Sequence, residues 1–297
     1  MDAAGSLQWE DPAWLAEAHR WIRGALGAAI DGPIEQPHVR PWSTVLRVPT
    51  VDGAVWFKAN MPALSQEAAI VSTLARRRPD LVPDLLAADL ERGWMLMRDG
   101  GTRLREAGLE PACWKAILPL YAELQLELAA GRDELLAAGA PDRRLAVLPA
   151  LYEELVANEG EELRALAPRV AGLCEELAAV GLPETVQHDD LHDGQIFVLD
   201  GRYRFFDWAE ACVAHPFFTM TVTLQDGLER FRDAYLEPWT RLARREELRS
   251  AFPIALVLGG ICRALTWRTI VGALPEPYAA EWADAVPGRL RRLLGAL

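Results

Sequence analysis

The sequence predicts an α+β protein of two lobes, with a small lobe rich in β-strands over residues 1–100 and a larger, mainly helical lobe over residues 101–297. Short segments rich in β-branched and aromatic residues are concentrated in the first hundred residues. From about Thr102 onward, apolar residues recur every three or four positions, which is typical of amphipathic helices. One stretch, residues 185–207, interrupts this helical pattern with two further strand-like segments.

The small lobe begins with a predicted helix over residues 11–30, in which Asp11 provides a cap and Pro12 a favourable first-turn residue. Two strand-like segments, TVLRVPT and AVWFKAN, follow. They flank Asp52 and Gly53, a pair that favours a tight turn, so we expect a β-hairpin here.

The rest of the small lobe is predicted to contain one more helix and two more strands. Residues 64–78 have helical spacing, with Ser65 as the expected cap. Residues 85–99 alternate on either side of Arg92 and Gly93, which indicates a second pair of strands.

The larger lobe is predicted to start after residues 99–101, where two consecutive glycines allow the chain to bend. Most of it has helical spacing. In the exceptional stretch, QIFVL and RYRFF resemble strands, and the Asp-Gly pair at 200–201 favours a hairpin turn between them.

Composition restricts the possible partners. The chain has 297 residues, 51% of them apolar, and a formal net charge of −12 at pH 7. This acidity disfavours nucleic acid and favours a cationic small molecule. No apolar run approaches the roughly 20 residues that cross a bilayer, and the N-terminus lacks a secretory pattern. The four cysteines form no CxxC pair. We therefore expect a cytoplasmic monomer or homodimer that contacts neither membrane nor nucleic acid.

The stretch QHDDLHDGQIF, residues 187–197, has the densest set of groups that bind protons or metal ions. The predicted hairpin would fold Asp207 back beside this loop, so that Asp190, Gln195 and Asp207 point into one cleft. An acid that accepts a proton, together with an amide and a second acid that hold a hard cation, is what phosphoryl transfer from a nucleotide–magnesium complex requires.

This loop resembles the H-G-D-L-H-x-x-N loop of the aminoglycoside phosphotransferase and choline kinase-like family, and the segment FDWAE that follows resembles that family's I-D-W-E/D segment. The resemblance implies a two-lobed protein kinase-like fold and a nucleotide–Mg²⁺ substrate, ATP or GTP. It also implies that Asp190 orients the acceptor hydroxyl and takes its proton. Gln195 and Asp207 would bind Mg²⁺, and His188 would brace the loop.

The small lobe carries the same resemblance in VWFK and WMLMR. The resemblance implies that Lys58 reaches the nucleotide phosphates and that Glu67 pairs with it. Met97 would lie in the hinge strand whose backbone takes the adenine edge. The segment HVRPWST has no glycine, unlike the phosphate-covering loop of protein kinases, so Ser43 and Thr44 are the candidates for phosphate contacts.

A second departure from the family pattern is Gln195, which stands where the family usually has asparagine. Glutamine carries the same amide oxygen on a stem about one methylene longer, while Mg²⁺ requires near-ideal geometry at about 2.0–2.1 Å. Two explanations stay open: a variation within a subfamily, or loss of metal binding in a nucleotide-binding pseudokinase.

The alternatives to a kinase loop are a polar turn and a metal hydrolase in which His188 and His192 are ligands. For the acceptor, the acidic balance favours an amine-bearing compound, either an aminoglycoside antibiotic or an amino sugar. A sugar kinase of central metabolism would use the same machinery. Three acids with helical spacing are candidates for binding such amines: Asp226, Glu229 and Asp233.

Overall fold

The computed structural model describes residues 7–225 and 227–296 and has the expected two lobes. In chain order, the elements of the small lobe are α1 (Pro12–Leu26), β1 (Glu35–Arg40), β2 (Ser43–Thr50), β3 (Gly53–Asn60), α2 (Glu67–Arg77), β4 (Leu85–Asp89) and β5 (Trp94–Arg98). The strands form one antiparallel sheet in the order β1-β2-β3-β5-β4. One face of this sheet packs against α1, burying an apolar core that includes Ile22, Phe57 and Leu96.

Local sequence signals explain most of these elements. The Asp11 side chain accepts a hydrogen bond from the amide of Ala13, and Pro12 is the first helical residue, as predicted. The prediction for Ser65 is wrong, because a short 3₁₀ turn precedes α2 and the Ser65 hydroxyl donates to the carbonyl of Pro62 inside that turn. Strand β1 was not predicted.

The larger lobe is built mainly from helices. They are α3 (Trp114–Leu128), α4 (Arg132–Ala137), α5 (Leu148–Val156), α6 (Glu161–Arg164), α7 (Ala167–Ala178), α8 (Met220–Thr223), α9 (Arg232–Leu236), α10 (Arg245–Ala273), α11 (Tyr278–Glu281) and α12 (Ala285–Ala296). Its short strands are β6 (Thr102–Arg103), β7 (Asp142–Arg143), β8 (Thr185–Gln187), β9 (Ile196–Leu199), β10 (Arg202–Phe205) and β11 (Cys212–Ala214).

The predicted hairpin is β9 and β10, which pair antiparallel from Ile196↔Phe205 to Leu199↔Arg202. Asp200 and Gly201 both have positive φ values, 51° and 72°, as a tight two-residue turn requires. Strand β6 adds to the outer side of β9. The loop over residues 188–195 therefore lies between β8 and this three-stranded unit.

The glycines at the lobe junction are in close contact with the hairpin. A Cβ on Gly100 would lie 2.2 Å from the Phe197 ring, and one on Gly101 would lie 2.4 Å from the Val198 carbonyl oxygen. Gly101 also has a φ of 100°. The two positions thus need glycine for close approach as well as for bending.

A separate apolar cluster joins the lobes, and we call it the interlobe cluster. Its buried members are Leu7, Trp9, Met61, Leu64, Ala209, Trp267, Ile270 and Leu274. Trp42, from the turn between β1 and β2, packs edge-on against Trp282 with ring centroids 5.4 Å apart. Trp282 in turn stacks on Trp267 at 4.9 Å. Aromatic pairs in these geometries each add about 0.5–1.5 kcal/mol beyond burial.

Helix α10, with 29 residues, is long and apolar enough to cross a membrane by length and composition alone. The expectation that no segment reaches this length is therefore wrong. Of the apolar window in α10, 56% is buried inside the protein. This degree of burial is typical of the core helix of a soluble protein.

Candidate active site

Lys58 lies at the centre of an ion-pair network between the lobes. Its ammonium group donates to Glu67 on α2, at 2.8 Å, and to Asp207 after the hairpin, at 2.6 Å. Burial acts to lower the pKa of Lys58, but the two carboxylates outweigh it and raise the pKa above its usual value. Lys58 is therefore a fixed cation at neutral pH.

The Glu67 carboxylate is held by two further donors. The Nδ2 group of Asn60 donates to one oxygen at 2.5 Å, and the backbone amide of Trp208 donates to the other at 2.8 Å. Asn60 was missed in the sequence, where it is merely the last residue of AVWFKAN. Trp208, the residue after Asp207, thus joins the Lys58–Glu67 ion pair of the small lobe to the hairpin of the larger lobe.

His188 is buried and braces the loop against the hairpin, where the resemblance places it. Its Nε2 atom lies 2.8 Å from the carbonyl oxygen of Phe206, and its backbone amide donates to the hydroxyls of Tyr121 and Thr219, each at 3.0 Å. Burial lowers the pKa of His188, so the ring is neutral at pH 7. A neutral histidine that bonds a backbone carbonyl holds structure.

Asp189 is a buried acid that the sequence argument did not single out. Its φ is 65°, a conformation that favours glycine and is tolerated by aspartate, and glycine is the residue at this position in the family loop. Its carboxylate accepts from Gln187 at 3.1 Å and from Thr266 on α10, and it lies 3.6 Å from the Arg143 guanidinium. These contacts tie the loop to α10.

Gln195 lies between the two acids that the sequence placed with it. Its amide nitrogen is 3.3 Å from an oxygen of Asp190 and 3.1 Å from an oxygen of Asp207. The side chain thus spans the gap despite its extra methylene. Amide and carboxylate oxygens are hard ligands of the kind that Mg²⁺ prefers, and the amide can turn its oxygen towards a cation. The donor set therefore fits Mg²⁺.

Asp190 contacts a residue that no local pattern indicates. Arg263 on α10 donates to its Oδ1 atom at 2.6 Å and also reaches Glu210. His192 Nε2 lies 3.6 Å from its Oδ2 atom. Burial acts to raise the pKa of Asp190, but His192 and Arg263 outweigh it and hold the pKa below its ordinary value. Asp190 is therefore ionised at neutral pH.

A cavity of about 430 Å³ lies between the lobes beside Lys58 and Asp207. Ser43 and Met97 line it, together with the stacked rings of Phe197 and Phe206, whose centroids are 3.9 Å apart. This aromatic pair was not predicted, although both residues lie in the predicted hairpin segment. The cavity thus combines a lysine cation, a carboxylate and two aromatic rings in one space between the lobes.

The expectation that the Thr44 hydroxyl contacts phosphate is wrong. Thr44 is fully buried, and its hydroxyl donates to the carbonyl of His38 and accepts from Gln36. Successive residues of a strand point to opposite faces, so Ser43 faces the cavity and Thr44 faces away.

Two other cavities each include in their wall a residue that contacts Asp190, and neither Glu229 nor Asp233 lines either of them. One, of about 580 Å³, includes His192 in its wall. The other, of about 720 Å³, is lined by Arg263, Arg289 and Arg292, and we call it the arginine cavity.

Of the three acids proposed to bind an amine, the two that the structure describes, Glu229 and Asp233, do not share a helix face at the cleft. Asp226 is outside the described residues. Glu229 is exposed in a 3₁₀ turn. The carboxylate of Asp233, on α9, is held by Arg249 at 2.5 Å and Arg232 at 3.2 Å. The structure thus brings neither Glu229 nor Asp233 to the cleft.

The metal-hydrolase alternative has no support in this geometry. His188 is directed at a backbone carbonyl, and His192 Nδ1 lies 2.8 Å from Arg105. Over residues 7–225 and 227–296, no cluster of three or more histidine, cysteine or acidic side chains is arranged to hold a metal ion.

A two-lobed fold, a lysine–glutamate pair and an acid–amide–acid cluster beside an interlobe cavity together define a kinase-like phosphotransferase. The sequence profile of the phosphotransferase enzyme family, APH, matches residues 40–251. The chain belongs to this family. The predicted family, the two-lobed kinase-like fold and the prediction of an ATP-dependent phosphotransferase are thereby confirmed.

Solved structures share this fold. An aminoglycoside 2'-phosphotransferase-IIIa in complex with GDP superposes with a TM-score of 0.64 at 16% identity, covering 95% of this chain and 97% of that one. An ethanolamine kinase from Plasmodium vivax gives 0.65 at 14% identity, covering 97% and 89%. At these identities the likeness is one of fold.

A curated relative matches over a short stretch. A glucosamine kinase from Streptacidiphilus jiangxiensis is 49% identical over 51 residues, which are 17% of this chain and 12% of that protein. The matched part is thus a small fraction of either chain.

Proposed function

We propose that this protein transfers the γ-phosphate of ATP or GTP to a hydroxyl group of a small polar acceptor. The single observation that carries the proposal is the continuous set of contacts from Glu67 through Lys58, Asp207 and Gln195 to Asp190. It supplies a phosphate-binding cation, hard metal ligands and a carboxylate, in the order that phosphoryl transfer uses them.

In the proposed reaction, the acceptor oxygen bonds to the γ-phosphorus while the bond from that phosphorus to the β–γ bridging oxygen breaks. The nucleoside diphosphate (ADP or GDP) leaves, and the hydroxyl proton goes to Asp190. Because the Asp190 pKa is lowered, the carboxylate is a weak base whose main task is to orient the hydroxyl. Lys58 would contact the phosphates, and Ser43 and Met97 would contribute to the nucleotide cavity.

Mg²⁺, held by Gln195 and Asp207, would neutralise charge on the transferred phosphate. Asp207 already contacts Lys58 through its other oxygen, so one carboxylate would serve both cations.

An ADP-release screen tests the proposal. Mg-ATP and Mg-GTP are offered with aminoglycosides, amino sugars, neutral sugars, acidic sugars and choline-like alcohols. The glucosamine kinase match supports including amino sugars, and a sugar kinase of central metabolism would act on the neutral ones. D190N is expected to lose turnover and keep nucleotide binding. D200N, in the exposed turn of the same hairpin, is the matched control and is expected to keep full activity.

The alternative is a nucleotide-binding pseudokinase, in which Gln195 does not hold a metal ion. Calorimetric titration with ATP, with and without Mg²⁺, distinguishes the two. The proposed enzyme binds nucleotide at least about tenfold more tightly with Mg²⁺. Equal affinity in both conditions, together with no product from any acceptor, would favour the pseudokinase.

A further inference from the structure

The arginine cavity lies between α8, α10 and α12. Its volume of about 720 Å³ is enough for a sugar-sized molecule. Thr221 and Gln225 add a hydroxyl and an amide to its wall. Polar groups are therefore present for orienting a bound molecule as well as for attracting it.

The charge of this wall is positive. Its described residues include three arginines and no aspartate or glutamate. Within residues 7–225 and 227–296, no carboxylate lies within 4.0 Å of the guanidinium groups of Arg289 and Arg292. Burial, together with the like charges of Arg263 and Arg292, lowers the pKa of Arg289 to about 10. These arginines repel one another, which is costly unless an anion occupies the space between them.

The positive charge of this wall is opposite in sign to the formal net charge of the whole molecule, which is −12. An acidic protein has no need of an unpaired arginine group for solubility. Arg289 is half-buried, lies 4.6 Å from the centre of the Trp267 ring and donates to the Ala285 carbonyl at 2.7 Å. It is therefore held in place at the cavity.

The cavity is also joined to the catalytic carboxylate. Arg263 forms part of its wall and donates to Asp190 at 2.6 Å, and Arg263 is itself fixed by Glu210. A molecule seated on Arg289 and Arg292 would thus be separated from Asp190 by the Arg263 guanidinium group, which contacts both the cavity and the carboxylate. A cationic aminoglycoside in the same position would face the like charges of Arg289 and Arg292.

We propose that the arginine cavity binds an anionic group of the acceptor, so that the substrate is an alcohol bearing a carboxylate or a phosphate. The inference rests on the proposed phosphotransfer. Guanidinium groups bind both anions through paired hydrogen bonds. The transfer itself is unchanged: the hydroxyl oxygen replaces the leaving diphosphate on the γ-phosphorus, and its proton goes to Asp190.

The first experiment compares glucose, glucosamine, glucuronate and glucose 6-phosphate as acceptors by ADP release. We expect kcat/KM for at least one of the two acidic sugars to exceed that for glucose by about tenfold or more. The variants R289Q and R292Q should lose this preference through a higher KM with little change in kcat. R291Q is the matched control, because Arg291 is on the same helix, is paired with Asp284 and does not line the cavity. It should retain the preference.

The second experiment measures anion binding directly. Inorganic phosphate is titrated, by calorimetry, into protein saturated with Mg-ADP, which fills the nucleotide site. Wild type and R291Q should bind phosphate, and R289Q and R292Q should bind it about tenfold more weakly or worse. Glucuronate in place of phosphate distinguishes a carboxylate site from a phosphate site.

The outcomes separate the two proposals. Phosphate binding that depends on Arg289 and Arg292, with no alcohol phosphorylated, would keep the anion site and overturn the phosphotransfer. Phosphorylation of glucosamine in preference to both acidic sugars would overturn the anionic acceptor and keep the phosphotransfer. Phosphate binding that is absent, or equal in all variants, would also overturn the anion site.

Discussion

Replacing Glu67 with alanine tests whether the buried carboxylate holds the lobes in their working arrangement. The carboxylate accepts hydrogen bonds from Lys58 (2.8 Å), Asn60 (2.5 Å) and the backbone amide of Trp208 (2.8 Å). Alanine removes all three contacts and leaves Lys58 with Asp207 as its remaining paired anion among the described residues. Removing one partner of a buried ion pair costs about 3–5 kcal/mol of unfolding free energy.

The expected change in melting temperature follows from the size of the protein. Unfolding entropies near 2.1 cal/mol/K per residue give about 0.6 kcal/mol/K for 297 residues. A loss of about 3–5 kcal/mol therefore lowers Tm by about 5–8 °C, which differential scanning calorimetry resolves. The control is E91A, an exposed acid in the turn between β4 and β5, which should melt within about 1 °C of wild type.

The variant E67Q separates charge from hydrogen bonding. The amide oxygen can still accept from Lys58 and Trp208, which share one oxygen of Glu67. The amide nitrogen would face both the Lys58 ammonium, 2.8 Å from that position, and the Asn60 side chain, which would have to turn over and give up its 3.3 Å bond to the Leu64 carbonyl. We expect E67Q to lose about 1–2 kcal/mol of unfolding free energy.

A Tm of E67A within about 2 °C of wild type would refute the reasoning that Glu67 holds the lobes together.

Three further predictions concern the junction, the metal ligand and the base. G100A places a Cβ 2.2 Å from the Phe197 ring, so calorimetry should show a loss of about 1–3 kcal/mol in the free energy of unfolding. The control G172A, in an open helical position, should be neutral or stabilising, and equal effects of the two variants would contradict this prediction. Q195N shortens the side chain by about one methylene, so the KM for Mg-ATP should rise about tenfold. An unchanged KM would refute the proposed role of Gln195 in binding the metal ion. Because the Asp190 pKa is held below the ordinary aspartate value, its carboxylate stays charged down to acidic pH and loses its charge only below that ordinary range. The kcat should therefore be level from pH 8 to about pH 5, and an acidic limb near pH 6–7 would assign the base elsewhere.

The parts of the fold that the sequence predicted have signals contained in a few neighbouring residues. The turn at Asp200 and Gly201 is one example, because both residues take the positive φ that their types favour. The cap at Asp11 is another. Strand β1 was missed because its sequence, EQPHVR, includes proline and charged residues, and its pairing with β2 stabilises it.

In the candidate site too, contacts between residues close in sequence were predicted and contacts between distant residues were not. Asp190, Gln195 and Asp207 were predicted to converge because a short hairpin joins them, and they lie within hydrogen-bond distance. Arg263 was missed because it reaches Asp190 across 73 positions of sequence, from a helix whose spacing predicts only packing. The misplacement of Asp233 has the opposite cause: helical spacing suggested a shared face, while Arg249 holds the carboxylate elsewhere.

The interlobe cluster lies between the cavity lined by Ser43 and the arginine cavity. Trp42 precedes Ser43, which lines the proposed nucleotide cavity, and Trp267 lies beneath Arg289 of the arginine cavity. The ring of Trp282 connects the two. If filling either cavity shifts this stack, thermodynamic reciprocity requires that nucleotide and acceptor change each other's affinity by the same factor. Cooperative binding of the two substrates would then originate in three indole rings that lie outside the site of phosphate transfer.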